Sequence, residues 1–366
     1  MNWETSALTI RSTICALSET LNEKEVRKLQ LVGGSTYVLS LPKKWVDELK
    51  LKTGDPVSII KNVNKSLSIL PTQNYSSPKI SKSKTVISQK DSVESIQRKA
   101  IAMYLAGYQI IEIRAKGGRI QIEHKQAIRD LVRKNMIGTE IVESTSESIT
   151  IQILTSLPEL SISDALKRMF LLTSTMHRQA IDALKEMDVE LGEEITHLDD
   201  EVDRFSLYIL RNLTLAVEHE KILRDIGLKK PSDCISYRIV VKSIERIADH
   251  AVSIASRIKF LKSTLEPALI QKITRLSEES LKVFEDSILA LNKRDYTLAD
   301  NVASNARRIS EKEREFTDSL EESKKYSSVI KFVLEDIRRT AEYSSDIAEA
   351  VINETVQDVI SENNSL

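Results

Sequence analysis

At 366 residues the chain exceeds a single core of about 100–200 residues, so two or three domains are expected. Its 53 Lys+Arg against 54 Asp+Glu, its net charge of -1, and only 9 Gly and 7 Pro suit long solvated helices and argue against a β-rich or disordered chain. Cys15 and Cys234 lack C-x-x-C spacing, which argues against a disulfide framework and a thiolate zinc site. With no apolar run near the ~20 residues needed to span a bilayer and no signal-peptide pattern at the start, the expectation is a cytoplasmic, not membrane-spanning protein.

Residues 1–25 read as a loose or partly helical N-terminal extension. From Arg27 the period changes to that of strands. Leu29 and Leu31, then Tyr37, Leu39 and Leu41, alternate with other residues, and Gly33-Gly34 marks the turn between them. Pro42 suits the first turn of a short helix with Trp45 and Leu49 on one side. Two further strands, over Val57–Ile60 and Leu67–Ile69, complete a ββαββ order in residues 26–70. Such a unit buries too little surface to be stable alone, so it should dimerise. The words Ser-Leu-Pro-Lys-Lys-Trp and Leu-Lys-Thr-Gly-Asp, set in this order, resemble the AbrB/SpoVT swapped-hairpin DNA-binding domain. That resemblance implies a homodimer through the N-terminal domain, with a basic face toward promoter DNA. Residues 26–70 hold eight basic residues against three acidic ones, a net +5 in a slightly acidic chain, which favours a polyanion partner. Arg27, Lys28, Lys43 and Lys44 are the candidate phosphate contacts. The alternative is a solvated scaffold that only dimerises.

Residues 71–90 read as a polar, Pro/Ser-rich linker containing Lys79, Lys82, Lys84 and Lys90. Residues 91–156 then form a small α/β connector. A helix from Ser92 to Tyr104, a strand at Ile110–Ile113, a helix from Gln121 to Asn135 and strands at Glu140–Glu143 and Ile149–Leu154 are expected. Gly117-Gly118 lacks the strand-turn-helix setting of a nucleotide loop and reads as an ordinary turn.

Residues 160–360 are almost all helical. Apolar stripes run through roughly 163–187, 190–221, 232–262, 267–293, 296–322 and 327–358, giving two three-helix bundles, about 160–262 and 266–360. The halves repeat: the segment from Ile244 to Ala255 corresponds to the segment from Ile337 to Ala348. Within the first of these, Glu245 and Asp249 each follow a stripe residue by one position, forming an i, i+4 carboxylate pair on the shoulder of the packed face. Asp199 and Asp203 stand in the same relation to their own helix. Four carboxylates sharing a groove repel, and a cation on oxygen ligands relieves the repulsion; the alternative is a pair of ordinary solvated faces. His197 and His250 adjoin the acids as possible further ligands. In the second half Arg338 replaces Glu245, Glu342 replaces Asp249 and the fifth helix lacks paired aspartates, which suggests a structural ion pair, the alternative being an anion site.

The words Ile-Glu-Arg-Ile-Ala-Asp-His-Ala resemble the third-helix signature of PhoU proteins, phosphate-uptake regulators built as two successive three-helix bundles. The resemblance implies iron or zinc at the motif Glu245-x-x-x-Asp249, beside which the groove reading sets Asp199 and Asp203 as further ligands, and phosphate transporter components as possible partners. No nucleophile-base set, P-loop or dinucleotide fingerprint is present, so no enzyme activity is expected. The expected function is transcriptional regulation of phosphate uptake and homeostasis, in the negative sense. The alternative is an adaptor acting on a membrane phosphate transporter, with the β domain serving only dimerisation.

Overall fold

The computed structural model describes residues 25–61, 66–71, 81–154, 160–261, 263–323 and 328–363. The N-terminal extension up to residue 24 lies outside them. The chain divides into two units, one before residue 80 and one from Ile80 onward.

In the first unit, β1 (Gln30–Val32) pairs antiparallel with β2 (Thr36–Val38). Gly33 and Gly34 make the reversal at φ +64° and +80°, a region that side chains disfavour. Pro42 precedes α1 (Lys43–Glu48), and β3 (Val57–Lys61) pairs antiparallel with β4 (Leu67–Pro71). The order is the expected ββαββ. Among the described residues of this unit only Pro42 is buried. Tyr37 is 69% exposed, Ile59 67% and Leu67 68%, so its strands present apolar side chains that no core of their own covers.

The second unit begins with an α/β module. It comprises β5 (Lys82–Ile87), α2 (Val93–Leu105), β6 (Ile110–Ala115), α3 (Ile122–Asn135), β7 (Thr139–Ser144) and β8 (Ser148–Ile153). The strands lie in the order β5-β6-β8-β7; β5 runs parallel to β6, and the other pairs are antiparallel. Ile111, Ile113, Ile149 and Ile151 alternate onto one face and share a core with Ile96, Tyr104, Ile128 and Leu131 of the two helices. Part of the stretch expected as linker is therefore a strand. Lys82 and Lys84 are exposed while Ile87 is buried, so β5 is an edge strand whose polar alternation resembles a linker in composition. Residues 72–80 lie outside the described ones.

The remainder is helical. The first bundle contains α4 (Ile162–Glu186), α5 (Val189–Glu218) and α7 (Asp233–Arg257), with a short α6 (Glu220–Asp225) between the last two. The second contains α8 (Pro267–Lys293), α9 (Tyr296–Ser323) and α10 (Ser328–Asn363). Local chemistry sets the ends. Ser161 and Asp188 cap α4 and α5 by accepting from the amides of Asp164 and Leu191, and Pro267 occupies the first turn of α8. One continuous apolar core runs through both bundles. Among the described residues no helix is long and apolar enough to cross a membrane.

Module and first bundle are joined by a buried cation. Arg211 of α5, 5% exposed, donates to the carbonyls of Tyr104 and, at 3.1 Å, of Gly107, while its guanidinium lies 4.8 Å from the Tyr104 ring centre. It thereby meets the carbonyl-rich end of α2, where a positive charge is favoured. Gly107 is favoured here by its φ of +90°, which side chains rarely adopt, and an added Cβ would also displace the Leu215 Cδ2 methyl of the same α5 at 2.6 Å.

Candidate functional site

The four acids expected to act together lie on two neighbouring helices, Asp199 and Asp203 on α5 and Glu245 and Asp249 on α7. A close crossing sets the approach of these helices: a Cβ on Gly192 would meet the backbone oxygen of Ala255 at 3.3 Å. Their apolar stripes, with Ile195, Val202 and Ile209 on α5 and Ile244, Ala248 and Ala251 on α7, are buried in the bundle. Each acid is one residue round from its stripe and so reaches the groove at the edge of the core.

The electrostatics show that the acids share one field. Burial, with the charges of Asp203, Asp249, Asp200 and Glu245 added, pushes Asp199 up to about 7. Burial and then Glu245 and Asp249 push Asp203 up to about 6, against the opposing pull of Lys242. Asp249, the most exposed of the four, is raised as well, by loss of solvent on its protein side and by Glu245. Glu245 is held by Ser206, which donates at 2.7 Å, and by the Lys242 ammonium. Asp199 has one buried oxygen, Oδ1, with no hydrogen-bond partner.

Such a donor set, all carboxylate and partly desolvated with one orphaned oxygen, matches a hard or borderline cation in chemistry. As placed, no three His, Cys, Asp or Glu side chains among the described residues converge into a metal-holding group. The acids line the groove and are not gathered at one point.

The histidines take other roles. His197 is exposed on α5. His250 turns toward the second bundle: its Nδ1 lies 2.8 Å from Asp336 Oδ1 and its ring stacks on Tyr343 at 5.6 Å. Arg257 donates to the other oxygen of Asp336 at 3.0 Å. Farther along the same seam, His177 of α4 bonds Ser277 at 2.8 Å through Nε2 and meets Thr340 at 3.5 Å through Nδ1. Burial, then the charge of Arg178, pulls His177 down to about 4, so it is neutral near pH 7. Sequence spacing carries no sign of this polar seam, because its members are 79 to 163 residues apart.

The repeat position in the second bundle is closed by charge pairing. Arg338 bonds Glu342, lies 3.5 Å from Glu313 of α9 and 3.7 Å from Glu335, and neighbouring Arg339 reaches Glu342 at 3.1 Å. The expected ion pair is present and is a network.

The basic candidates of the first unit are all exposed. Arg27 pairs with Glu25, Lys28 precedes β1, and Lys43 and Lys44 open α1, where Lys44 lies 3.9 Å from Glu48.

Comparison with known proteins places these regions. Residues 166–258 and 273–351 each match the PhoU domain. Residues 30–76 match the model described as antidote-toxin recognition MazE, bacterial antitoxin. Among solved structures, the phosphate transport system regulatory protein PhoU from Streptococcus pneumoniae is 20% identical with a TM-score of 0.45, covering 52% of this chain and 91% of that one. PhoU from Pseudomonas aeruginosa is 17% identical with a TM-score of 0.39, covering 52% and 93%. No curated protein matches the chain.

Proposed function

Because this chain is a PhoU-domain protein, with two copies of that domain behind a MazE-type, AbrB-like domain, we propose that it is a dimeric transcriptional regulator that represses phosphate uptake. The observation that carries the reading is the union, in one chain, of a basic β unit that cannot cover its own apolar strands with a duplicated phosphate-regulatory domain. The first unit pairs with its copy through those strands. Arg27, Lys28, Lys43 and Lys44 then contact DNA phosphates, and the helical unit reports phosphate status. The chain works by binding, with no catalytic step of its own.

The acid groove of the first bundle is the sensor end in this proposal. Asp199, Asp203, Glu245 and Asp249 hold iron or zinc, with the buried orphan oxygen of Asp199 and the raised acids as support. A bound cation supplies positive charge that lets all four ionise together.

Fluorescence anisotropy with promoter DNA over a salt series tests the DNA arm. Affinity falls steeply with salt, and Lys43→Ala with Lys44→Ala lowers the slope by about 1 for each phosphate that the variant no longer neutralises. Recovery of phosphate transporter components by a protein with no salt-dependent DNA affinity would replace this reading with the adaptor one. Removing residues 1–75 converts dimer to monomer by light scattering, since the β unit folds only by pairing.

A further inference from the structure

A cleft of about 470 Å³ opens between the α/β module and the first bundle, directly beside the acid groove. Gln97 of α2 and Asn135 of α3 stand on its module wall, Arg238 and Lys242 of α7 on its bundle wall, and Asp203 and Glu245 border it. Apolar side chains from both sides, among them Leu105, Leu131 and Leu207, complete the lining. The module residues all precede the segment that matches the PhoU domain, so docking the module against the bundle is what creates the cleft. Its volume falls in the range of small-molecule sites.

The lining chemistry narrows the occupant. Two side-chain amides offer donors and acceptors together, the combination that reads the edge of a purine. Leucines beside them accept a flat ring. Arg238 makes no ion pair among the described residues, which leaves its planar fork available for a phosphate. Lys242 is already bonded to Glu245, and the two cations of the lining face two acids. Charge is thus close to balanced, and a bare phosphate ester would meet Asp203 and Glu245 unfavourably. A divalent cation shared between those acids and the phosphates removes that obstacle.

From these features we infer that the cleft binds a purine nucleotide as its divalent-cation complex. The base lies toward Gln97 and Asn135, and the phosphates lie toward Arg238 and the cation. This inference rests on the reading of the acid groove as a cation site and names the ligand class that would use it. Because module and bundle each supply part of the cleft, the bound nucleotide bridges them.

Equilibrium dialysis of the full chain with radiolabelled ADP, with and without Mg²⁺, tests the inference; metal content is measured on the same samples by elemental analysis. The expected result is Mg²⁺-dependent binding, weakened at least tenfold by Arg238→Ala and by Gln97→Leu with Asn135→Leu, with inorganic phosphate a poor competitor. Arg238 is exposed, so its replacement leaves the fold intact, as circular dichroism will show. Absence of ADP binding by metal-loaded protein, equal competition by inorganic phosphate, or unchanged affinity in Arg238→Ala overturns the inference. Mg²⁺-dependent ADP binding by protein that retains no iron or zinc supports it and removes the resident-metal reading instead. Loss of both overturns both.

Discussion

The two bundles repeat in sequence and differ at the edges of their cores: α9 lacks the paired aspartates of α5, and Arg338 stands where the first half has Glu245. In the first, Glu245 faces other acids, and burial leaves Asp199 and Asp203 with raised affinity for protons. In the second, Arg338 occupies the place of Glu245 and gathers Glu313, Glu335 and Glu342 around itself. Lys242 offsets only part of the charge of the first groove, which for the rest keeps protons or takes charge from outside, whereas the second carries its own cations. A duplicated helical scaffold can thus carry a groove of acids in one half and an arginine-centred ion-pair network at the corresponding place in the other.

The largest expected effect breaks the first side of this contrast. Glu245→Ala with Asp249→Ala removes most of the bound metal, measured by elemental analysis on protein purified without chelator, while Glu342→Ala leaves it unchanged. Equal loss in both variants would show that the halves do not differ as described. Next in size, Arg338→Ala strands Glu313, while Glu342 keeps Arg339, and lowers stability by about 2 kcal/mol, read from urea unfolding, because a partly buried charge network loses its central cation. Arg338→Glu sharpens the point: it removes the fixed positive charge, yet no second equivalent of metal is expected, because α9 lacks the paired aspartates of α5.

A smaller effect comes from pH. Asp199 titrates at about 7 in the folded chain and in the ordinary carboxylate range near 4 when unfolded. Between those values the folded state holds a proton that the unfolded state has released. Stability of the metal-free protein therefore falls as pH rises from about 4 to about 7, by on the order of 2 kcal/mol once solvent screening of this partly exposed group is discounted, and falls no further above that. Thermal unfolding at pH 5 and pH 8 measures the difference. Asp199→Asn should flatten part of it and Asp199→Asn with Asp203→Asn more, since both carboxyls are raised, and no substitution at Glu342 should do so.

Much of this was legible from residue order. Three-and-four-residue spacing of Ile244, Ile247, Ala251 and Ile254 defines the buried stripe of α7, and the acids one step off that stripe do meet those of α5 in one field. The turn at Gly33-Gly34 and the helix after Pro42 are equally local signals. The strand β5 was not legible. Its exposed lysines and buried or half-buried alternate positions belong to an edge, where the sequence needs only one apolar side and little of it. The direction of His250 was hidden for another reason. Adjacent positions on a helix diverge by about 100°, so a histidine beside Asp249 points to a different neighbour, and that neighbour, Asp336, comes from the other half. Arg211 was likewise invisible as a clamp, because its acceptors are backbone carbonyls more than a hundred residues earlier.

The seam around Asp336 constrains how such a duplication can be cut. Asp336 is 4% exposed, and both side chains bonded to its carboxylate, His250 and Arg257, are contributed by the preceding half, as is His177 to Ser277 and Thr340. Fragments divided between Ile258 and Pro267 would each carry an open apolar face and polar groups built for the other fragment. Complementation follows: the two pieces should be insoluble or misfolded when made singly, yet reconstitute a native-like heterodimer when produced together, with Asp336→Ala weakening the reassembly.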